Sequence, residues 1–452
     1  MVRKTLGLTC VLVASFGAAF AEDAVPVAID NGGETRMQEF VIGVADLAQA
    51  KQAYTDVLKW KVKHAGPADL SIVNLWRLDL KARVDEVLVG NEQSNYGFVR
   101  LVDIKGVERK IARPNGSWFD TGGMMNLNVL VKDLNATVAG LRQLGFHAFS
   151  QPESYVYPTG AKGLSAMMIG HDDVVVSFQE RQSPPLQGWP PFEGASHIET
   201  GYQIVTDIGA WNDFWTKTVG LSAREIRDRR ADKAIGANDY RLPYNSKGLD
   251  DSRQGGAYPR KGGEQLLGVR QFLNSTGAVY ADLAAPPNLG IVAVRLPMKD
   301  VDGLAQRVAA AKIPFAAPLQ VYNLPPYGKV KGFAVRAPGG SGLWTEFFEM
   351  NPEPMTAAEM KDMLSKHTKS SWVPTGWRGG GTSTFNRDGS AEVTWSTGKA
   401  VGRWELKGNA ICTAWTTLRD GRESCAIYYA VGDKVFQSYT MTGQPEGMNT
   451  YE

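Results

Sequence analysis

The sequence predicts an α+β protein made from four copies of one strand–helix–strands unit, followed by a small antiparallel β domain. Three observations carry that expectation. First, a short β-type stretch runs four times into a Val–x–Asp or Asp–Val step and then into an amphipathic segment. The copies are Phe40-Val-Ile-Gly-Val-Ala-Asp46-Leu, Leu127-Asn-Val-Leu-Val-Lys-Asp133-Leu, Gly201-Tyr-Gln-Ile-Val-Thr-Asp207-Ile and Ile291-Val-Ala-Val-Arg-Leu-Pro-Met-Lys-Asp300-Val. Second, the aspartates stand 87, 74 and 93 residues apart (46 to 133, 133 to 207, 207 to 300), the mark of a repeated supersecondary unit. Third, beyond Glu349 the pattern changes to short alternating strands broken by Arg387-Asp-Gly389, Arg419-Asp-Gly421 and Gly432-Asp433, the spacing of a meander.

In the first copy, Leu47 to Trp60 sets Ala50, Ala53, Tyr54, Val57 and Leu58 at helical spacing, while Val73 to Leu80 and Tyr96 to Val102 read as strands. In the second, Leu134 to Leu144 reads as the helix, with strands at Ala166 to Ile169 and Val174 to Phe178. In the third, Trp211 to Val219 is the helix, and the glycine-rich stretch 224–263 has no clear pattern. Residues 36–181 and 194–351 each hold two copies. Four prolines in 182–193 mark the connector between them. Residues 352–371 hold a short helix, with the capping box Thr356-Ala-Ala-Glu359 and an apolar face of Met360, Met363 and Leu364. Lys369 to Gly381 reads as a linker into the β domain, residues 372–452.

Residues 1–21 read as a secretory signal peptide. Arg3 and Lys4 precede an apolar run from Leu6 to Phe20, and Ala19-Phe20-Ala21 fits the cleavage pattern. The run is too short to span a membrane. Its removal takes away two of the 49 basic residues and none of the 47 acidic ones, leaving a formally neutral chain. Neutrality without a basic block argues against nucleic acid as a partner. Cys412 and Cys425 flank the Arg419-Asp-Gly421 turn, where a cross-strand disulfide would staple a hairpin in an exported protein. Periplasmic localisation is the expectation, and the β domain is a candidate surface for an envelope protein partner.

The repeated unit, with Val-x-Asp-Leu before the helix and Tyr54-x-x-x-Leu58 at its end, resembles the vicinal oxygen chelate superfamily, which includes glyoxalase I, bleomycin-resistance proteins and extradiol dioxygenases. The resemblance implies that βαβββ modules pair into two cup-shaped sheets. It also implies metal ligands, His, Gln or Glu, on the first and last strand of each module. The first-strand position falls on Glu39, Asn126, Thr200 and Ala293, and the last-strand position on Arg100, Ser177, Arg270 and Glu346. A divalent metal therefore has an incomplete ligand set, with Glu346 and Glu39 the carboxylates available. His197 and Glu199 have the opposite strand parity to Thr200 and are expected to face outward.

Two arginines, Arg100 and Arg270, occupy equivalent sites. Each suits a planar carboxylate or enolate, and each also suits an internal acid: Asp103 or Glu39 for Arg100, and Glu346 for Arg270. His171-Asp172-Asp173 reads as a turn. The segments around Tyr244 and Tyr327 are candidate lids over the second cup. Two classes of function follow. One is a glyoxalase- or dioxygenase-like enzyme acting on a small oxygenated, anionic molecule, with Glu346 as base or residual metal ligand and Arg270 with Tyr244 or Tyr327 orienting the anion. The other is a metal-free binding or envelope interaction protein.

Overall fold

The recurring aspartate is a helix cap. The side chains of Asp46, Asp133, Asp207 and Asp300 accept hydrogen bonds from the backbone N–H of Gln49, Ala136, Ala210 and Gly303. A carboxylate there satisfies a first-turn donor and meets the positive end of the helix dipole. The computed structural model describes residues 35–148, 151–157, 160–229, 251–261, 263–274, 277–375 and 379–452. Residues 1–21, which read as a signal peptide in the sequence, and Tyr244 lie outside the described residues.

The first module comprises β1 (Glu39–Gly43), α1 (Leu47–Gln52), β2 (Lys61–Pro67), α2 (Leu70–Leu75), β3 (Arg83–Gly90) and β4 (Phe98–Lys105). The second has β5 (Asn126–Val131), α3 (Leu134–Gln143), β6 (His147–Ala148), β7 (Glu153–Val156), β8 (Lys162–Ile169) and β9 (Val175–Ser183). The third has β10 (Ala195–Ile204), α4 (Ile208–Asp213), β11 (Ser222–Arg229), β12 (Ser252–Tyr258) and β13 (Leu267–Phe272). The fourth has β14 (Gly290–Pro297), α5 (Val301–Ala310), β15 (Phe315–Asn323), β16 (Lys329–Arg336) and β17 (Trp344–Met350). Helices α1 and α4 continue as π-helical turns, Ala53–Val57 and Phe214–Thr218.

One expected strand is a helix instead. Val73 to Leu80 was read as extended, yet Leu70–Leu75 forms α2. Asp69 caps it, accepting from the Ser71 N–H, and Ile72, Val73, Leu75 and Trp76 are all buried. Those apolar positions follow helical rather than alternating spacing.

The modules pair in a crossed fashion. The first sheet runs β15-β16-β17-β14-β1-β4-β3-β2 and the second β11-β12-β13-β10-β5-β9-β8-β6. Module one thus joins module four, and module two joins module three, a pairing that the sequence leaves open between neighbouring and crossed. Connector length is compatible with crossed pairing. The short proline-rich connector carries β9 to β10 past a single intervening strand, β5. The longer segments 106–125 and 273–289 cross between the sheets, linked by bridges Ile111–Leu289 and Thr121–Val279.

One large hydrophobic cluster runs through both sheets and the helices α1, α3, α4 and α5. The opposite face of the first sheet is covered by α2 in a second cluster, with Trp76, Tyr322, Tyr327 and Phe348. The opposite face of the second sheet carries Trp118, Met125, Met167, Ile204 and Phe272.

Beyond α6 (Ala357–Lys366), whose Thr356–Glu359 capping box is formed, the chain builds an eight-stranded closed barrel. Its strands are β18 (Lys369–Pro374), β19 (Gly381–Phe385), β20 (Ser390–Trp395), β21 (Gly398–Lys407), β22 (Ala410–Trp415), β23 (Ser424–Gly432), β24 (Val435–Thr440) and β25 (Pro445–Tyr451). The supposed linker after Lys369 supplies β18, which pairs with both β19 and β25 and so closes the meander. Cys412 and Cys425 sit directly opposite on β22 and β23 and form a disulfide.

The barrel docks on β15, an edge strand of the first sheet. Gln437 Oε1 accepts from the Val321 N–H at 2.6 Å and the Tyr439 hydroxyl donates to the Val321 carbonyl at 2.8 Å. This covers an edge that would otherwise offer unpaired backbone groups.

A disulfide closing a loop with a sequence separation of 13 constrains the unfolded barrel. Replacing Cys412 and Cys425 together by serine should lower barrel stability by about 3 kcal/mol. Guanidinium titration of the double variant would show it, and an unchanged midpoint would refute it.

Candidate functional site

The two sheets present different chemistry on the faces turned away from the shared core. On the first, five ionisable side chains form a continuous buried chain. Arg100 donates from Nε and Nη2 to the two Glu39 carboxylate oxygens at 2.8 and 2.7 Å, and from Nη1 to Glu86 at 2.7 Å. Arg295 donates from Nη1 to Glu39 at 2.9 Å and from Nε to Glu346 at 2.6 Å. The indole N–H groups of Trp76 and Trp344 complete Glu346 at 2.6 and 3.0 Å.

All five side chains have no more than about 1% exposure. Register produces this meeting: Glu39 lies opposite Arg295, which pairs with Glu346, while Arg100 sits beside Val41. Burial alone would raise the Glu39 carboxyl, but Arg100 and Arg295 outweigh it and hold it at about 2. Burial opposes charge on both arginines too, and the carboxylates more than reverse that, raising both.

The loop expected as a lid closes this chain rather than a cavity. The Pro325 carbonyl accepts from Arg100 Nη2 at 2.6 Å, and Tyr327 is buried, stacked on Phe348 and accepting from Gln38. Asp103, the other acid considered for Arg100, pairs with Arg109 and Lys105.

On the second sheet, Arg270 is buried between aromatic rings. Its guanidinium lies 5.4 Å from the ring centres of both Trp118 and Phe272, and the Gln254 amide oxygen accepts from Nη2 and Nε at 2.6 and 3.2 Å. Asn126, Ser177 and Thr200 are buried on the neighbouring strands β5, β9 and β10. The Asn126 amide oxygen accepts no hydrogen bond among the described residues. Arg270 and Glu346, expected to face each other, therefore lie on different sheets.

Strand β10 is irregular, with register shifts between Ala195 and Ile198 and between Ile198 and Thr200. A bulge of this kind breaks simple alternation, and His197 and Glu199 depart from the outward placement expected of them. His197 is buried, stacked on Trp189 of the connector at 4.9 Å and edge-on to Tyr96 at 4.6 Å. Burial, with Arg36 nearby, pushes its pKa down to about 3, so it is a neutral aromatic plug. Glu199 is half-buried beside Tyr157, and burial reinforced by Glu264 pushes its carboxyl up to about 7.

Arg295 and Glu86 escaped the sequence reading. The signal was present: Ile291-Val-Ala-Val-Arg-Leu sets one charge inside an otherwise apolar run, and such a charge must be paired. His171–Asp173 forms the expected turn, a short 3₁₀ segment.

The positions expected to hold a metal on the first sheet do not fit an ion. Glu39 and Glu346 direct their oxygens at guanidinium and indole N–H donors, and Arg100 places positive charge where a ligand would stand. Among the described residues the one cluster of three potential donor side chains is Cys412, Glu423 and Cys425, whose sulfurs are joined to each other.

No protein-family model and no curated protein matches the sequence. Among solved structures the chain is similar to glyoxalase I from Zea mays, with 14% identity, 70% of this chain and 92% of that chain covered, and a TM-score of 0.43. It is similar to a variant of 4-hydroxymandelate synthase from Streptomyces coelicolor, with 12% identity, 71% and 93% covered, and a TM-score of 0.24. A glyoxylase/bleomycin resistance protein/dioxygenase domain from Frankia sp. EAN1pec covers 32% of this chain and 95% of its own, with 15% identity and a TM-score of 0.22.

Removing one partner of a buried ion pair leaves the others uncompensated. Arg295→Met should destabilise the protein by about 3–5 kcal/mol in urea titration. Glu39 has a depressed pKa, so its contribution is full above its unfolded value near 4.5 and fades as pH falls toward about 2. The gap between wild type and Glu39→Gln should therefore narrow across that acid window, and a constant gap would contradict the assignment.

Proposed function

We propose that this protein, built on the vicinal oxygen chelate fold, binds a small oxygenated anion without a metal, in a cup formed by the second sheet. Four βαβββ modules paired two by two are that fold, and the fold alone leaves the chemistry open. One observation carries the metal-free reading: Arg100 occupies one of the first sheet's expected metal positions, and Arg100 and Arg295 together engage the carboxylates at two others, Glu39 and Glu346. The anion would be placed on the second sheet, where Arg270 lies between Trp118 and Phe272 and polar side chains stand on the adjacent strands. A guanidinium flanked by apolar rings suits a carboxylate or enolate, held by charge-assisted hydrogen bonds.

Purified protein should carry no stoichiometric divalent metal, and its melting temperature should not change with chelator. One tightly held ion per chain would overturn the metal-free reading. Against a panel of small mono- and dicarboxylates and 2-keto acids, thermal shift should show stabilisation in the wild type and its loss in Arg270→Met. If no member of the panel shifts the wild type, the anion reading fails.

A catalytic reading of the same cup rests on Glu199. A carboxyl poised near 7 is suited to proton transfer at neutral pH, and Tyr157 lies beside it. Turnover of any 2-keto acid found to bind, with a pH profile breaking near 7 that Glu199→Gln abolishes, would establish it. Binding without turnover would leave the protein a binding module.

The reading includes export to the periplasm. The apolar N-terminal run and the Cys412–Cys425 disulfide support it, since disulfides persist in oxidising compartments. N-terminal sequencing of the native protein should begin at Glu22, and a chain retaining Met1 would refute it.

A further inference from the structure

The C-terminal barrel surrounds a cavity of about 480 Å³ that opens to solvent, within the range of small-molecule sites. Eight-stranded barrels are either filled by their inward side chains or hold one small ligand. Here small residues make the room. Ser383, Ala426, Ser438 and Gly447 all line the interior, on β19, β23, β24 and β25. The lining follows strand alternation, as with Ile411, Thr413 and Trp415 along β22 and Ser424, Ala426 and Tyr428 along β23. It is therefore the inner face of the barrel and not a surface groove.

The two ends of the barrel differ. Helix α6 packs Met360, Met363 and Leu364 into the same cluster as Phe385 and Tyr428, and Arg387 in the β19–β20 turn donates to the Ser365 carbonyl, so α6 covers that end. Leu418, Arg419 and Glu446 line the opposite end, where Arg419 and Glu446 pair at 3.3 Å. The charged groups at the mouth thus compensate each other, and the interior offers no unpaired charge among the described residues.

Aromatic walls come from Trp372, Phe385, Trp415 and Tyr428. Hydrogen-bonding capacity comes from Thr413 and Asn449 and from the Trp372 indole N–H, which is buried and takes no partner among the described residues.

We propose that the barrel binds one neutral, largely apolar small molecule bearing a hydroxyl or carbonyl group, entering past the Arg419–Glu446 pair. This site is independent of the anion site proposed on the second sheet. It gives the C-terminal domain a ligand of its own.

The test uses the full chain and N-phenyl-1-naphthylamine, a neutral apolar fluorophore. Wild type should bind it saturably at one per chain, with energy transfer from tryptophan. Ala426→Phe, which fills the cavity, should weaken binding at least tenfold while leaving the melting temperature close to wild type. Ser438→Leu serves the same purpose if the first variant does not fold. Arg270→Met should bind the dye normally, which separates this result from that of the carboxylate panel. Absence of saturable binding in wild type would overturn the proposal. So would undiminished binding in a folded cavity-filled variant.

Discussion

The buried chain Glu86–Arg100–Glu39–Arg295–Glu346 constrains everything built around it. Three carboxylates and two guanidinium groups share a face closed to water, and the two Glu39 contacts require a particular register of β1 against β4 and β14. A slip of one residue would turn a charge into the hydrophobic cluster on the other face. The chain therefore does more to specify which modules pair than to add stability, because replacing buried ion pairs by well-packed apolar residues is often neutral. It also fixes where ligand chemistry can occur. Its charges are consumed, and α2 and the Pro325 loop pack over it, so the proposed ligand sites fall on the second sheet and in the barrel.

The barrel's position reinforces that division. By bonding to Val321 it shields the end of the first sheet. Lys329 lies over Tyr439 at 4.6 Å at the same junction. One side of the barrel is thus committed within the chain, while its interior and mouth are lined by other residues. The domain expected as a docking surface for a partner makes its described contact with its own first sheet.

Much of the fold was legible because the signals were local. The aspartate caps and the Thr356–Glu359 capping box depend on residues three positions apart, and the cysteines flank a single turn. What escaped depended on tertiary arrangement. Module pairing is compatible with connector reach, and no repeat pattern records it. Val73 to Leu80 reads as extended because its first apolar residues, which end α2, are dense enough to suit either period. At the site, Arg100 and Glu39 were singled out and do meet. Arg270 was matched to Glu346 by module number, and crossed pairing sent them to different sheets. Glu199 was placed by alternation, which the irregular register of β10 breaks.

Crossed pairing also gives the chain a nested order, like one pair of brackets inside another. Modules two and three are consecutive and can close their sheet as soon as both exist. Module one cannot. Its Glu39 waits for Arg295, 256 residues further on, and contacts of such separation carry the largest loop-closure cost. Until then β1 keeps an open edge and Glu39 lacks one of its two cationic partners. The inner sheet is thus positioned to form first and hold the two long crossings in place, and the outer sheet to close last around its charges. In a chain synthesised from its N-terminus, the first module made is among the last to be completed.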